Sequence, residues 1–413
     1  MENEKIRILV VPSDFEGGVG FFRALQPHRY LTEKYGDEFE CVIDGNPDWR
    51  DMEKLKSFDI IFCQRKIYDD TRVFVNTLQA LKDTSVKVVL DIDDSWDLSP
   101  THPMYGMYKR YGMEQIITGI LKLGDYVTTT TDIFASQIQQ FNPNPVVLPN
   151  AINPNDPSFT THKKPSDKLR FGFIMGSAHE YDVKLMGNFV SQLSQDVIDQ
   201  IQIVLCGFDL RGRIEYQDPV THEIKARAMA PKEGVWYRYE NMVTNNRAII
   251  SPLYRKFLNM YIPNLEYPDY QNEHYHRCWT KDMQHYYSHY DDVDVLYAPL
   301  EPKHYNFVKS QLKAIECCFS NTAIIAQNYG PYTIDLKHAI DENGQYVEGG
   351  NALLVDLDKN ATDWAKLTTM LVKDRGLLDK MRTRLHEDLC GKYNLDTVTD
   401  MRAEFYRKIA KKN

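Results

Sequence analysis

Short apolar runs, each about the length of one strand, recur along this chain with helical patterns between them. That alternation restricts the fold more than any other feature. Lys5-Ile-Arg-Ile-Leu-Val-Val-Pro12 reads as a buried strand, followed by the turn Glu16-Gly17-Gly18-Val19-Gly20 and a helix over 21–35. Further strands are predicted at 38–43, 58–63, 86–91 and 125–130, with helices at 71–82 and 113–122. Apolar strands joined by helices belong in a parallel sheet covered on both faces. Pro143, Pro145, Pro149, Pro154 and Pro157, interleaved with asparagines, then mark a turn-rich connector with one embedded strand at 146–148. The pattern restarts at Leu169, where a second strand ends on Gly176-Ser177. Strands at 201–206, 293–298, 322–327 and 352–355 follow, with helices at 306–320 and 361–373.

The chain of 413 residues exceeds one ordinary core. We expect two α/β domains, each opening with a strand and a glycine turn: 1–150, and 151–393 with an insertion at about 207–292. The final segment, 394–413, carries Leu395, Val398, Met401 and Phe405 at near-helical spacing. The insertion is rich in Tyr, Arg, Asn and His and must carry helices of its own, because a structureless loop that long is improbable.

Apolar content of 43% and charged content of 26% describe a globular protein. No apolar run approaches the roughly 18 residues of a membrane span, and the start shows no signal-peptide pattern, so the expected location is cytoplasmic. A formal net charge of -9 argues against a generic nucleic-acid coat. The seven cysteines lack CxxC spacing, and several fall inside apolar elements, so buried free thiols are expected rather than disulfides or a zinc site. His274, His276, His285 and His289 invite a zinc reading, but no third ligand is marked.

The segment Asn306-Phe-Val-Lys309-Ser310-Gln-Leu-Lys313-Ala-Ile-Glu316 is the most suggestive for chemistry. On a continuous helix Lys309, Lys313 and Glu316 share a face, with Asn306 and Ser310 near its start. Two ammonium groups and a helix N-terminus suit a diphosphate, and the carboxylate suits ribose hydroxyls. A solvated surface helix gives the same pattern. Gly18 and Gly20 allow backbone N–H groups to approach a ligand, or form a simple tight turn. The run is not G-x-G-x-x-G, which disfavours a dinucleotide site. Ser177-Ala-His179-Glu180 fits a capping box; with Gly176 and nearby Asp182 it also offers an anion site. Asp91, Asp93 and Asp94 end a strand, with His102 eight residues beyond. Magnesium binding, contact with sugar hydroxyls, proton transfer and plain helix capping are all open for the three carboxylates.

Taken together these segments resemble glycosyltransferases of the GT-B fold, close to the retaining family 4 class. The resemblance rests on Val147-Leu148-Pro149-Asn150-Ala151-Ile152-Asn153, on Lys309-Ser-Gln-Leu-Lys313-Ala-Ile-Glu316, and on Glu348-Gly-Gly-Asn351-Ala-Leu-Leu-Val355. It implies two Rossmann-like domains facing across a cleft, with the nucleotide-sugar on the second and the acceptor on the first. Glu316 matches the second carboxylate of the family's Glu-x7-Glu motif, while Val308 stands where the first would fall. Gly18 and Gly20 match the glycine loop near the sugar diphosphate. His102 matches the first-domain histidine that contacts the transferred sugar, and the last residues resemble the family's terminal helix that crosses back onto the first domain. The implied reaction moves a hexose or pentose from a donor such as a UDP- or GDP-sugar to a hydroxyl acceptor, a glycan or lipid-linked saccharide. Retention of configuration is implied, with His102, Asp94, Lys309 and Lys313 as catalytic groups. No cofactor is expected, and activity should survive chelation of divalent metals. Hydroxymethylated DNA is the alternative acceptor, and a non-catalytic nucleotide-sugar-binding protein is the alternative class. Oligomeric state is not legible.

Overall fold

The computed structural model describes residues 5–65, 70–245, 249–358 and 361–410. They form two compact units. One comprises Met1–Asp156, Pro302–Glu316 and Asp388–Asn413; the other comprises Pro157–Glu301 and Cys317–Glu387. Residues 302–316, read from the sequence as part of the second domain, therefore pack with the first.

The first unit is built on a six-stranded sheet. Its strands are β1 (Ile6–Val11), β2 (Phe39–Ile43), β3 (Ile60–Gln64), β4 (Lys87–Asp91), β5 (Tyr126–Thr129) and β6 (Pro145–Val147). They lie in the order β2-β1-β3-β4-β5-β6, every pairing parallel. Strand order reverses between β1 and β3, and open α/β sheets bind ligands beyond the strand ends at such a point. Leu9, Val11, Ile61, Cys63 and Val88 bury one face of the sheet, and Ile8, Val10, Ile60, Phe62 and Val89 bury the other. This two-sided burial explains why the strands read as unbroken apolar runs. The helix Leu395–Ile409 covers the second face through Ala403, Phe405, Tyr406 and Ile409. His28 Nε2 and the Tyr406 hydroxyl meet at 2.8 Å beneath it.

The second unit holds another six-stranded sheet, of β7 (Leu169–Ile174), β8 (Ile201–Phe208), β11 (Tyr275–Trp279), β12 (Val295–Ala298), β13 (Ala323–Gln327) and β14 (Leu353–Val355). They lie in the order β11-β8-β7-β12-β13-β14, every pairing parallel. Counted within the unit, this is the Rossmann order 3-2-1-4-5-6. Its third strand, β11, lies inside the stretch read as an insertion. Between β8 and β11 the chain makes an exposed hairpin, β9 (Arg213–Gln217) and β10 (Ile224–Ala228), and the helices Val235–Thr244 and Pro252–Leu258. A buried ion pair ties these helices to the sheet edge. Arg277 donates to Glu240 through Nε at 2.8 Å and Nη2 at 2.9 Å, and through Nη1 to the Leu258 carbonyl at 2.8 Å.

One buried pair organises the strand ends of the first unit. Arg23, in the helical stretch after the glycine turn, donates from Nη2 to Asp91 Oδ1 at 2.6 Å and from Nε to Oδ2 at 3.2 Å. It also donates from Nη1 to the Leu148 carbonyl at 2.6 Å and to Asn150 Oδ1 at 3.3 Å. Thr128 supplies Asp91 with a further hydrogen bond at 2.7 Å. Arg23→Leu leaves the Asp91 carboxyl buried without its counter-charge, so stability should fall by about 3–5 kcal/mol. Adding Asp91→Asn should recover a large part of the loss, read from denaturant midpoints of the single and double variants.

Candidate functional site

Beyond β3 and β4, the first unit gathers charged and aromatic groups from three stretches of chain. Arg65 follows β3 directly, and its Nη1 donates to the Asp94 carbonyl at 3.3 Å. Tyr305 brings its phenol to the charged groups of Asp93, Asp94 and Arg65; burial and the two negative charges hold its hydroxyl far above its ordinary pKa. The His102 ring lies 4.7 Å from that of Tyr305, and the Lys309 ammonium stands 4.8 Å over the same ring. Lys303 Nζ donates to Thr101 Oγ1 at 2.5 Å, fixing the start of this stretch against the loop that carries His102.

Asp93 is the electrostatic centre of the cluster. Its surface is only partly accessible. Crowding out of water and then the neighbouring Asp94 charge push its carboxyl up to about 7, with Asp91 adding to the rise and Arg65 and Arg23 opposing it. A carboxyl that keeps its proton near neutrality can donate a hydrogen bond or exchange a proton with a bound hydroxyl. Beside it, a cavity of about 220 Å3 runs between Phe74, Leu90, Met113 and Ile117, with Arg65 and Tyr108 at its polar end.

The three aspartates thus divide. Asp91 is consumed by Arg23, Thr128 and the core, so a magnesium triad is not what the strand end presents. The glycine turn is also more self-contained than its sequence indicates. Asp14 Oδ1 accepts the backbone N–H of Glu16 at 3.1 Å and that of Gly17. A Cβ on Gly20 would overlap the Asp14 carbonyl oxygen. Gly18–Gly20 form one helical turn running into the Arg23 stretch. Gln64 anchors the loop at both ends, accepting from the Ser13 N–H at 2.9 Å and donating to the Val19 carbonyl at 2.9 Å.

The helix predicted over 306–320 is broken. Helical turns span His304–Phe307 and Leu312–Phe319, and Lys309 and Ser310 lie between them. Two tethers hold the break. Asn150 Nδ2 donates to Ser310 Oγ at 3.1 Å, and Gln311 Nε2 donates to the Tyr393 hydroxyl at 2.6 Å. Lys309 therefore shares no helix face with Lys313 and Glu316. Glu316 is 1% exposed and pairs with Lys313 Nζ at 2.9 Å. Asn306 is buried as well. Lys309 makes no ion pair among the described residues.

In the second unit β7 ends at Ile174, just before Gly176-Ser177, and Asp182 bridges two loops. Its Oδ2 meets His179 Nδ1 at 2.6 Å, and its Oδ1 accepts the Glu301 N–H at 2.7 Å. The Tyr239 hydroxyl donates to the carbonyls of Gly176 at 3.1 Å and Ser177 at 3.0 Å. The capping box predicted from Ser177 and Glu180 does not form: no side chain caps either helical start. Glu180 is drawn off by Arg238, at 3.0 and 2.8 Å, and by Lys184 at 3.1 Å. The helix there, Glu180–Lys184, is a single turn and offers only a weak dipole. Gly176 has open space where a Cβ would stand.

No family model matches the sequence, and no curated protein matches it either. Solved structures do. A structure of Anabaena HepE in complex with UDP aligns over 98% of this chain and 100% of its own, with a TM-score of 0.58 and 11% identity. A glycosyltransferase from Rickettsia africae aligns over 100% of both chains, with a TM-score of 0.56 and 12% identity. The α,α-trehalose-phosphate synthase of Burkholderia vietnamiensis aligns over 88% of this chain and 73% of its own, with a TM-score of 0.51 and 12% identity. The fold is that of the GT-B glycosyltransferases. Among the described residues no helix is long and apolar enough to cross a membrane.

Arg65, Tyr108 and Tyr305 join this site although the sequence reading passed over them. The available signals were an arginine placed directly after a buried strand and a tyrosine adjoining the lysine segment. The Asp93 assignment predicts a pH signature. The folded carboxyl holds its proton up to about 7, whereas an unfolded one releases it near 3.9. Protonation therefore stabilises the fold fully below the unfolded value, and that stability is lost as pH rises through about 7. Asp93→Asn should raise the melting temperature relative to the parent above that range, with the gain shrinking towards pH 4. Thermal denaturation across pH checks this.

Proposed function

We propose that the chain is a glycosyltransferase that moves a sugar from a nucleoside diphosphate sugar to a hydroxyl acceptor. The observation that carries this reading is the match of both sheets, over nearly the whole of both chains, to a fold solved with UDP and with UDP-glucose in HepE. The residues gathered beyond β3 and β4 suit the chemistry. The acceptor oxygen forms a bond to the anomeric carbon as the bond from that carbon to the diphosphate oxygen breaks. The departing diphosphate keeps the electron pair, and the acceptor proton passes to it or to a carboxyl in the cluster. Lys309 supplies positive charge for the leaving group; Lys313 shares its charge with Glu316. His102 and Asp94 line the transferred sugar, with Asp93 as their proton-holding neighbour. In the second unit Gly176, Ser177, His179 and Asp182 frame the donor, with the glycine's open space admitting a phosphate or sugar edge. Gly18 and Gly20 act by holding the Asp14 turn in shape.

The transfer proceeds with retention, as in the family 4 enzymes the sequence resembles, and without a protein nucleophile. A hexose such as glucose is the donor sugar. The acceptor is a glycan or lipid-linked saccharide: the apolar wall of the cavity beside Arg65 and Tyr108 favours an acceptor with an apolar stem over a modified DNA base. No divalent cation takes part at the diphosphate, because a lysine is present to balance its charge. The protein works in the cytoplasm, where nucleotide sugars are made.

A thermal-shift panel of UDP-, GDP-, ADP- and CDP-sugars tests the donor, since a ligand of the native state raises its melting temperature. A UDP-sugar should give the largest rise; no rise with any nucleotide sugar would reject the reading. Lys309→Ala should weaken binding of the responding donor by about tenfold or more in calorimetry, the worth of a charge-assisted hydrogen bond. Turnover of that donor should proceed without added magnesium or manganese and should not increase when either is supplied.

A further inference from the structure

Three soft or nitrogen donors converge in the second unit, on residues that the sugar-transfer reading does not use. Cys206 on β8 and Cys278 on β11 are direct partners across two parallel strands. Side chains alternate along a strand. Ile203, Leu205 and Tyr275 enter the main apolar core, so Cys206, Cys278 and His276 occupy the opposite face. The helical segment Tyr286–Asp292 brings in His289. The two sulfurs and a ring nitrogen of His289 all lie within 4.8 Å of one another, and no other such group of three occurs among the described residues.

The environment is that of a ligand set rather than of inert core. Cys206 is 0% exposed and His289 3%. His289 Nδ1 is buried and has no hydrogen-bond partner among the described residues. A buried polar atom left without a partner costs free energy, and native proteins seldom tolerate it. A metal ion would satisfy that imidazole and use both thiols. His276 stands next to the trio, outside its 4.8 Å spread, and would have to turn inward to become the fourth ligand: its Nδ1 is 3.5 Å from Cys278 Sγ, and its Nε2 faces Glu266 Oε1 at 3.4 Å. A carboxylate on the far ring nitrogen is the usual outer partner of a metal-ligating histidine. The Tyr270 ring stacks on His276 at 4.0 Å and restricts its rotation.

We propose that Cys206, Cys278 and His289, completed by His276, form a structural metal site for zinc or an ion of the same softness. Zinc takes sulfur at about 2.3 Å and imidazole nitrogen at about 2.0–2.1 Å in a tetrahedron. A spread of 4.8 Å therefore closes onto the ion by small side-chain rotations. Binding converts both thiols to thiolates and releases their protons to solvent, with no change of oxidation state. The ion joins edge strand β11 to β8 and to the 286–292 segment, and a donor set made wholly of protein groups leaves no open position for catalysis.

The full-length chain, reduced and freed of metal, is titrated with cobalt(II). One equivalent should bind, with the intense near-ultraviolet sulfur-to-cobalt charge-transfer absorption of a thiolate site, and zinc should displace it. Cys278→Ser and His289→Gln should each abolish that absorption. Its persistence in either variant, or cobalt uptake without it in the parent, would overturn the proposal. Alkylation mapped by mass spectrometry needs no variant. Zinc should protect Cys278 from iodoacetamide while Cys41 and Cys390, the other half-buried thiols, react as before. Equal labelling of Cys278 with and without zinc, or a Cys206–Cys278 disulfide that re-forms after reduction and excludes metal, would refute the site. Sugar-nucleotide binding plays no part in these measurements, so their outcome is independent of the transferase reading.

Discussion

The contact between Arg23 and Asp91 sets the geometry on which the first unit's site depends. It joins the turn after β1 to the end of β4, and through Leu148 and Asn150 it reaches the chain leaving β6. Asn150 in turn holds Ser310, which fixes the break that presents Lys309. A fully buried guanidinium is tolerable only because each of its nitrogens finds an acceptor of the right geometry. The neighbouring charges follow from this arrangement. With Asp91 committed to Arg23, Asp93 and Asp94 are left crowded together, offset by Arg65 and to a smaller extent by Arg23.

Much of the architecture could be read from the sequence because both sheets are buried on both faces. Strands such as 58–63 and 322–327 then appear as plain apolar runs, and the sequence ranges overlap the observed β3 and β13. Strand β11 escaped because Tyr275-His-Arg-Cys-Trp279 is polar to the eye. Its Arg277 is neutralised by Glu240 from a helix, a pairing that no local pattern displays. The helix predicted across 306–320 failed for a related reason. Periodicity accommodates a continuous helix, but Asn150 and Tyr393, distant in sequence, stabilise a break at Ser310 and Gln311.

The candidate site was less legible than the fold. Asp91, Asp93 and Asp94 look equivalent in sequence, yet a partner 68 residues away separates the first from the others. Glu316 reads in the sequence as a carboxylate on a helix face shared with Lys309 and Lys313; in the structure it is buried against Lys313, and Lys309 lies off that helix. Val308 explains the incomplete carboxylate motif. It is buried with Leu9, Ile61 and Phe134 in the first unit's core, where a carboxylate would be desolvated without compensation. The capping box at Ser177 was outbid by Arg238, which takes Glu180 from outside the local sequence.

The position of β11 in the chain has a consequence for how the protein is made. Strand β8 ends at Phe208, but its outer neighbour begins only at Tyr275. During synthesis the β8 edge emerges with its backbone groups unpaired, and it stays so until the hairpin, both helices and the loops beyond have followed. Such an edge is a template for pairing with other chains, and closing a long loop delays the native partner. The helices of the intervening segment join the unit's main core through Trp236, Tyr239, Tyr254 and Leu258, and Glu240 among them holds the charge that Arg277 needs. The segment that postpones the strand thus also prepares its docking place, and the interval before docking is when the nascent chain is most exposed to misassembly.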